Sequence, residues 1–119
     1  MPAPIVHVNI PVVDLEQSAL FYGTVFGWTF TPNTDRYTLF SDGAVGGGLT
    51  LDARPCPDGG VLLFLQVDSI EATLELVSQH GGMPVTPKQS VGPPGATGLG
   101  YYAVFSDVCG NRMGLYAKT

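Results

Sequence analysis

Charge is what this chain has least of. Asp, Glu, Lys and Arg make up only 13% of its residues, five of them are basic, and the formal net charge is −5. So few scattered cations cannot grip a phosphate backbone, which argues against a nucleic-acid partner. Long apolar runs are missing as well. None approaches a membrane span, and the opening Met1-Pro-Ala-Pro-Ile5 has neither the basic start nor the apolar stretch of a signal peptide. The expectation is a cytoplasmic protein with no membrane partner. Cysteine is scarce: Cys56 and Cys109 lie in turn-like Pro-Cys-Pro and Val-Cys-Gly contexts, without metal-ligand spacing and with no disulfide expected. The acids Asp14, Asp42, Asp68 and Asp107 read as caps and turns, no two acids are spaced as a catalytic dyad, and no Ser or Cys stands in a nucleophile motif.

What the chain does have is repetition. Pro11-Val-Val-Asp-Leu-Glu-Gln-Ser-Ala-Leu-Phe-Tyr22 returns as Gln66-Val-Asp-Ser-Ile-Glu-Ala-Thr-Leu-Glu-Leu-Val77, so that Leu15, Glu16, Leu20 and Tyr22 fall on Ile70, Glu71, Glu75 and Val77. Tyr37-Thr-Leu-Phe-Ser-Asp42 returns as Tyr102-Ala-Val-Phe-Ser-Asp107, and Gly48-Leu49 as Gly114-Leu115. One insertion in the second copy, placed in the Gly/Pro-rich stretch 84–100, accounts for the drift in register. A half of this size alone would bury only about 60% of its unfolded surface. The copies must therefore pack on each other or on a second chain, and with so little charge to cover a monomer the expectation is a homodimer.

Periodicity supplies the elements. Val6, Val8 and Ile10 alternate with His7 and Asn9, a strand over 5–10 with one apolar and one polar face. Asp14, with Gln17 behind it, caps a helix whose stripe is Leu15, Ala19, Tyr22 and Phe26, and Gly27 ends it. Strands are expected over 28–31, 36–41 and 45–51, the last two joined by the Ser41-Asp42-Gly43 turn. The second copy repeats the order: a strand over 61–67, a helix capped by Asp68 or Ser69 with stripe Ile70, Leu74 and Val77, a stop at His80-Gly81-Gly82, then strands near 83–85, 100–106 and 112–117. The whole of 1–119 reads as a single domain, with module 1 at about 1–52, a linker over 53–60 and module 2 at about 61–119. Glycine and proline, 16 and 10 residues, are spread through turns and form no low-complexity tract.

A duplicated βαβββ unit that opens with His7-Val-Asn-Ile-Pro-Val-Val-Asp-Leu-Glu16 and closes with Phe105-Ser-Asp-Val-Cys-Gly-Asn-Arg-Met-Gly-Leu115 resembles the vicinal oxygen chelate superfamily of glyoxalase I, bleomycin resistance proteins, fosfomycin resistance enzymes and extradiol dioxygenases. Phe21-Tyr-Gly-Thr-Val-Phe-Gly-Trp28, Gly46-Gly-Gly-Leu-Thr50 and Gly100-Tyr-Tyr-Ala-Val-Phe105 look most like its glyoxalase-related branch. The resemblance implies an α+β fold: two tandem βαβββ modules forming a curved mixed sheet around a cleft, with the helices outside. In metal-dependent members it also implies two ligands from each module. His7 matches the first ligand, but its repeat partner is Leu62, and the two closing-strand positions carry Gly48 and Gly114. A catalytic divalent ion needs about three protein ligands, so no metal and no cofactor are expected.

By alternation, the face toward the cleft carries His7, Asn9, Thr50, Leu62, Phe64, Gln66, Gly114 and Tyr116, joined by Tyr101 or Tyr102, of which Tyr102 is carried as the candidate. His7 is the candidate acid–base group; the alternative is a histidine hydrogen-bonded to Asn9, Gln66 or water without a reaction to serve. Trp28, Phe21, Tyr22 and Phe26 read as helix-on-sheet packing, His80 as a complement to its helix dipole, and Gly46-Gly47-Gly48 as a strand that bends or admits a ligand closely. The reading is a metal-free protein that binds a small amphipathic molecule. Competing with it are an enzyme of lyase, isomerase or dioxygenase type using His7 and a tyrosine or a water-completed metal, and an interaction module without a ligand.

Overall fold

Alternation at the start of the chain produces β1 (His7–Pro11), which ends at the extended Asp14. The Asp14 side chain accepts a hydrogen bond from the Gln17 amide at 2.8 Å, starting α1 (Leu15–Phe26), and Gly27 closes the helix in the left-handed conformation, φ 74°. These features belong to a computed structural model that describes residues 2–58 and 60–119; Met1 at the N-terminus and Gly59 of the linker lie outside the described residues. Three strands follow, β2 (Thr29–Thr34), β3 (Tyr37–Ser41) and β4 (Gly46–Thr50). They form one four-stranded sheet in the order β1-β4-β3-β2, with β1 parallel to β4 and the other pairs antiparallel.

The plan then repeats as β5 (Phe64–Gln66), α2 (Ile70–Gln79), β6 (Met83–Ser90), β7 (Tyr101–Ser106) and β8 (Arg112–Ala117). Its sheet has the order β5-β8-β7-β6, again with one parallel pair. The fold is thus α+β with two tandem βαβββ modules, each with its own mixed sheet, and the chain divides into units 1–55 and 56–119. Ser69, one of the two expected caps, starts α2 by accepting from the Ala72 amide. Among the described residues no helix is long and apolar enough to cross a membrane.

Two strands are longer than the sequence suggested, for one reason. The expected strands 28–31 and 83–85 continue past proline, β2 to Thr34 and β6 to Ser90. Both are edge strands, and their register slips beside Pro32, Pro84 and Pro87, where a residue without an amide hydrogen removes nothing from the ladder. The opposite correction applies to the expected strand 61–67. Its ladder begins only where the Gly114 amide reaches the Leu63 carbonyl, so β5 keeps three residues and Leu62 lies ahead of it.

In module 1 the helix face of the sheet is filled by rings. Tyr22 stacks on Trp28 and Trp28 on Phe40, both at 4.7 Å between centroids and within 9° of parallel. Anchoring on Tyr22 rotates α1 so that Ser18, Phe21 and Tyr22 are buried, while Leu15, Ala19 and Phe26 of the expected stripe stay half-buried. Module 2 buries Ile70, Thr73 and Val77 of α2 with Ala103, Phe105, Leu115 and Ala117. On that module's flank Lys88 pairs with Glu71 at 3.1 Å, and the Glu71 carboxyl is held below its ordinary value first by its own backbone amide and then by Lys88.

The β7–β8 hairpin carries a buried polar knot. Asp107 and Asn111 are 4% and 5% exposed, and the Asp107 carboxylate accepts from the amides of Cys109 and Asn111 and from Asn111 Nδ2, at 2.8, 2.9 and 3.0 Å. Asn111 Oδ1 in turn accepts from the Cys56 amide. The equivalent Asp42 in module 1 accepts from Ala44 and Val45, but in solvent. Leaving buried donors unpaired costs more than leaving exposed ones. Asp107→Ala is therefore expected to lower unfolding stability by about 2–4 kcal/mol, and Asp42→Ala by about 1 kcal/mol or less, in denaturant titrations. Equal losses would contradict the assignment.

Candidate functional site

On the sheet face away from α1, alternation and register bring His7, Asn9, Tyr37, Leu39, Gly48 and Thr50 together: His7 pairs with Gly46, Asn9 with Gly48, and Leu39 with Gly48 from the other side. Three of these groups form a closed triangle. The Tyr37 hydroxyl donates to Asn9 Oδ1 at 2.6 Å, and His7 Nε2 lies 2.8 Å from the Tyr37 oxygen and 3.0 Å from Asn9 Oδ1. His7 and Asn9 are exposed and Tyr37 half-buried, so the triangle faces outward. Thr50 shares the face but is buried, and its hydroxyl accepts the Asp52 amide at 3.0 Å.

The glycines of β4 explain how the triangle is held. A Cβ built on Gly48 would overlap the Tyr37 ring and hydroxyl, and one on Gly47 would overlap Phe40 on the helix face. Rings therefore lie over β4 on both sides, and what approaches the Gly46-Gly47-Gly48 tract closely is the chain's own aromatic residues. The bare strand is the condition for Tyr37 to reach His7.

Module 2 builds a different surface from the same plan. Phe64 pairs with Gly114 and Gln66 with Tyr116, while Tyr102 faces Tyr116 across β7 and β8. Phe64 and Tyr102 meet edge to face at 6.4 Å. With Val91 and Tyr116 they line a pocket of about 340 Å³ walled by three aromatic rings and a valine. A Cβ on Gly114 would overlap the Phe64 ring, so Gly114 is buried beneath it, and the ring occupies the room that the sequence suggested for a ligand. The Tyr116 hydroxyl is turned aside to donate to the Leu99 carbonyl at 3.0 Å, tying down the loop before β7. Tyr101 pairs with Ala117, in the opposite phase, and carries Lys88 Nζ 4.6 Å from its ring centroid.

Of the residues named from sequence, the structure brings His7 and Asn9 together in one module, and Phe64, Tyr102 and Tyr116 around one pocket in the other. Gln66 is exposed on the pocket's sheet face, and Leu62 lies off the strand, half-buried. Sequence reasoning missed Tyr37 and Val91. Tyr37 was within reach, because it is the repeat partner of Tyr102. A larger groove, about 490 Å³, lies between α1 and β2–β3 with Asp14, Glu16 and Asp35 on its walls, and it contains none of these side chains.

Residues 4–43 match the bleomycin resistance protein-like N-terminal family. A glyoxylase-like domain-containing protein of Didymella fabae is 30% identical over 95 residues, which cover 72% of this chain and 74% of that one. This chain belongs to the glyoxalase/bleomycin resistance/dioxygenase superfamily. Its fold is similar to that of a glyoxalase/bleomycin resistance protein/dioxygenase family enzyme from Burkholderia phytofirmans PsJN, with a TM-score of 0.79 at 16% identity over 98% of this chain and 100% of that one. It is also similar to a fosfomycin resistance protein from Listeria monocytogenes complexed with Mn(II) and sulfate, with a TM-score of 0.76 at 18% identity over 100% and 93%.

The superfamily's metal chemistry can be tested against the residues present. Of the four positions that the resemblance assigns to ligands, only His7 offers a donor, and its Nε2 is already engaged by Tyr37 and Asn9. Rings cover both glycine positions. Among the described residues no three His, Cys, Asp or Glu side chains converge. The donor set does not fit a divalent ion of the superfamily's usual kind.

If the Tyr37 ring needs a bare Gly48, the two positions are energetically coupled. Gly48→Ala is expected to cost about 1–3 kcal/mol through overpacking, and distinctly less in a Tyr37→Ala background. A double-mutant cycle in denaturant giving additive losses would contradict the contact.

Proposed function

We propose that this chain binds a small amphipathic molecule in the aromatic pocket of module 2 and holds it without a metal or cofactor. The observation that carries this reading is the apolar pocket of Phe64, Val91, Tyr102 and Tyr116, large enough at about 340 Å³ for a ring-sized group. Its aromatic walls contribute area and ring contacts. The name of the family matched by residues 4–43, bleomycin resistance protein-like, supports drug-like ligands over metabolically processed ones.

A second reading has the 2.8 Å contact of His7 with Tyr37 in its favour: a lyase or isomerase using the imidazole and a phenol as acid–base pair. The two readings part on His7. Binding of 2-naphthalenemethanol, followed by calorimetry, is expected to weaken about tenfold in Tyr102→Ala and Phe64→Ala. Unchanged affinity in both variants would refute the pocket. Turnover of any glutathione or coenzyme A thioester that vanishes in His7→Ala would replace binding by catalysis.

We further infer a cytoplasmic homodimer. Cysteine as scarce as two residues, with no disulfide expected from their spacing, suits a reducing compartment, and Leu20 and Val13 are 71% and 67% exposed on a chain with little charge to keep it apart. Sedimentation is expected to give twice the chain mass, and a concentration-independent monomer would refute it.

A further inference from the structure

The protons of the module 1 triangle can be counted, and the count says what it can receive. Tyr37 has one hydroxyl proton, and the geometry directs it to Asn9 Oδ1 at 2.6 Å. Asn9 Oδ1 has none to give. For His7 Nε2 to lie 2.8 Å from the Tyr37 oxygen and 3.0 Å from Asn9 Oδ1 without lone pairs facing one another, the nitrogen itself must carry a proton. Every proton inside the triangle is then used within it. With the imidazole neutral, the groups left over are its Nδ1 lone pair, the remaining lone pair of the Tyr37 oxygen, and the two amide hydrogens of Asn9.

We propose that Tyr37, seated over Gly48, makes this face a receptor for ligands that bring their own hydrogen-bond donors, such as hydroxyl or ammonium groups, and not for carboxylates or phosphonates. Two of the three outward groups are acceptors. An anionic oxygen set against the Nδ1 and phenol lone pairs would meet repulsion, with the Asn9 amide its sole donor. The chain's net charge of −5 acts in the same sense. The inference rests on the small-molecule reading above and names the polar chemistry that the face of module 1 would take.

The tautomer can be read without any ligand, by nitrogen-15 NMR of His7 in its neutral form. Wild type is expected to show a protonated Nε2 and a bare Nδ1. In Asn9→Ala the Tyr37 proton loses its acceptor and can turn to Nε2, so the tautomer is expected to invert. In Tyr37→Phe, Asn9 still accepts and the Nε2 proton is expected to remain. Benzylamine and benzyl alcohol should then perturb the His7 and Asn9 side-chain signals of wild type, with benzoate at least roughly tenfold weaker. A bare Nε2 in wild type overturns the proposal, and so does benzoate binding as tightly as benzylamine. Either result leaves the aromatic pocket of module 2 standing, whereas absence of binding by these probes and by 2-naphthalenemethanol overturns the small-molecule reading and the proposal together.

Discussion

In each module an aromatic ring rests over a glycine of the last strand, Tyr37 over Gly48 and Phe64 over Gly114, and the character of both open faces follows from that contact. A glycine inside a strand is a local weakness, costing about 0.5–1 kcal/mol relative to alanine. Here it makes a seat that no other residue could offer, since any Cβ would stand inside the ring. Seated there, Tyr37 reaches His7 and Asn9, and Phe64 becomes a wall for Tyr102 and Tyr116. The duplication keeps the glycine, but the ring over it comes from β3 in one copy and from β5 in the other, and the chemistry around it diverges into a polar triangle and an apolar pocket.

The same contact accounts for the distance between this chain and metal-holding members of its superfamily. A carboxylate or imidazole on the closing strand would project where the rings now lie, so ring and ligand are alternatives at one place. With rings in both copies, His7 stands without a second donor for an ion and its Nε2 turns to a phenol and an amide. What the two faces carry instead is hydrogen bonding in one module and apolar surface in the other.

Much of the fold was legible because it is written twice. The caps Asp14 and Ser69, the stop at Gly27, the β8 span and the order of elements all followed from local rules, and the repeat tied the two halves together. Strand ends were less legible, because sequence does not announce which strand is an edge and can carry proline without losing a ladder hydrogen bond. The site was half legible. Alternation found the faces of His7, Asn9, Phe64 and Tyr116, and could not choose between Tyr101 and Tyr102, which only the β7–β8 register separates. It read the glycines of β4 as a bend or a place for close approach of a ligand, and had no sign of the rings that cover them. Whether a glycine is bare or roofed depends on a side chain from another strand, and single-strand periodicity carries no trace of that.

The most direct test of the account is the proton NMR shift of the α-hydrogens of Gly48 and Gly114. Rings placed over both residues should displace these signals upfield of ordinary strand glycines. The displacement should disappear for Gly48 alone in Tyr37→Leu and for Gly114 alone in Phe64→Leu. Ordinary glycine shifts at both positions in the wild-type protein would mean that the seats are empty, and would contradict the account.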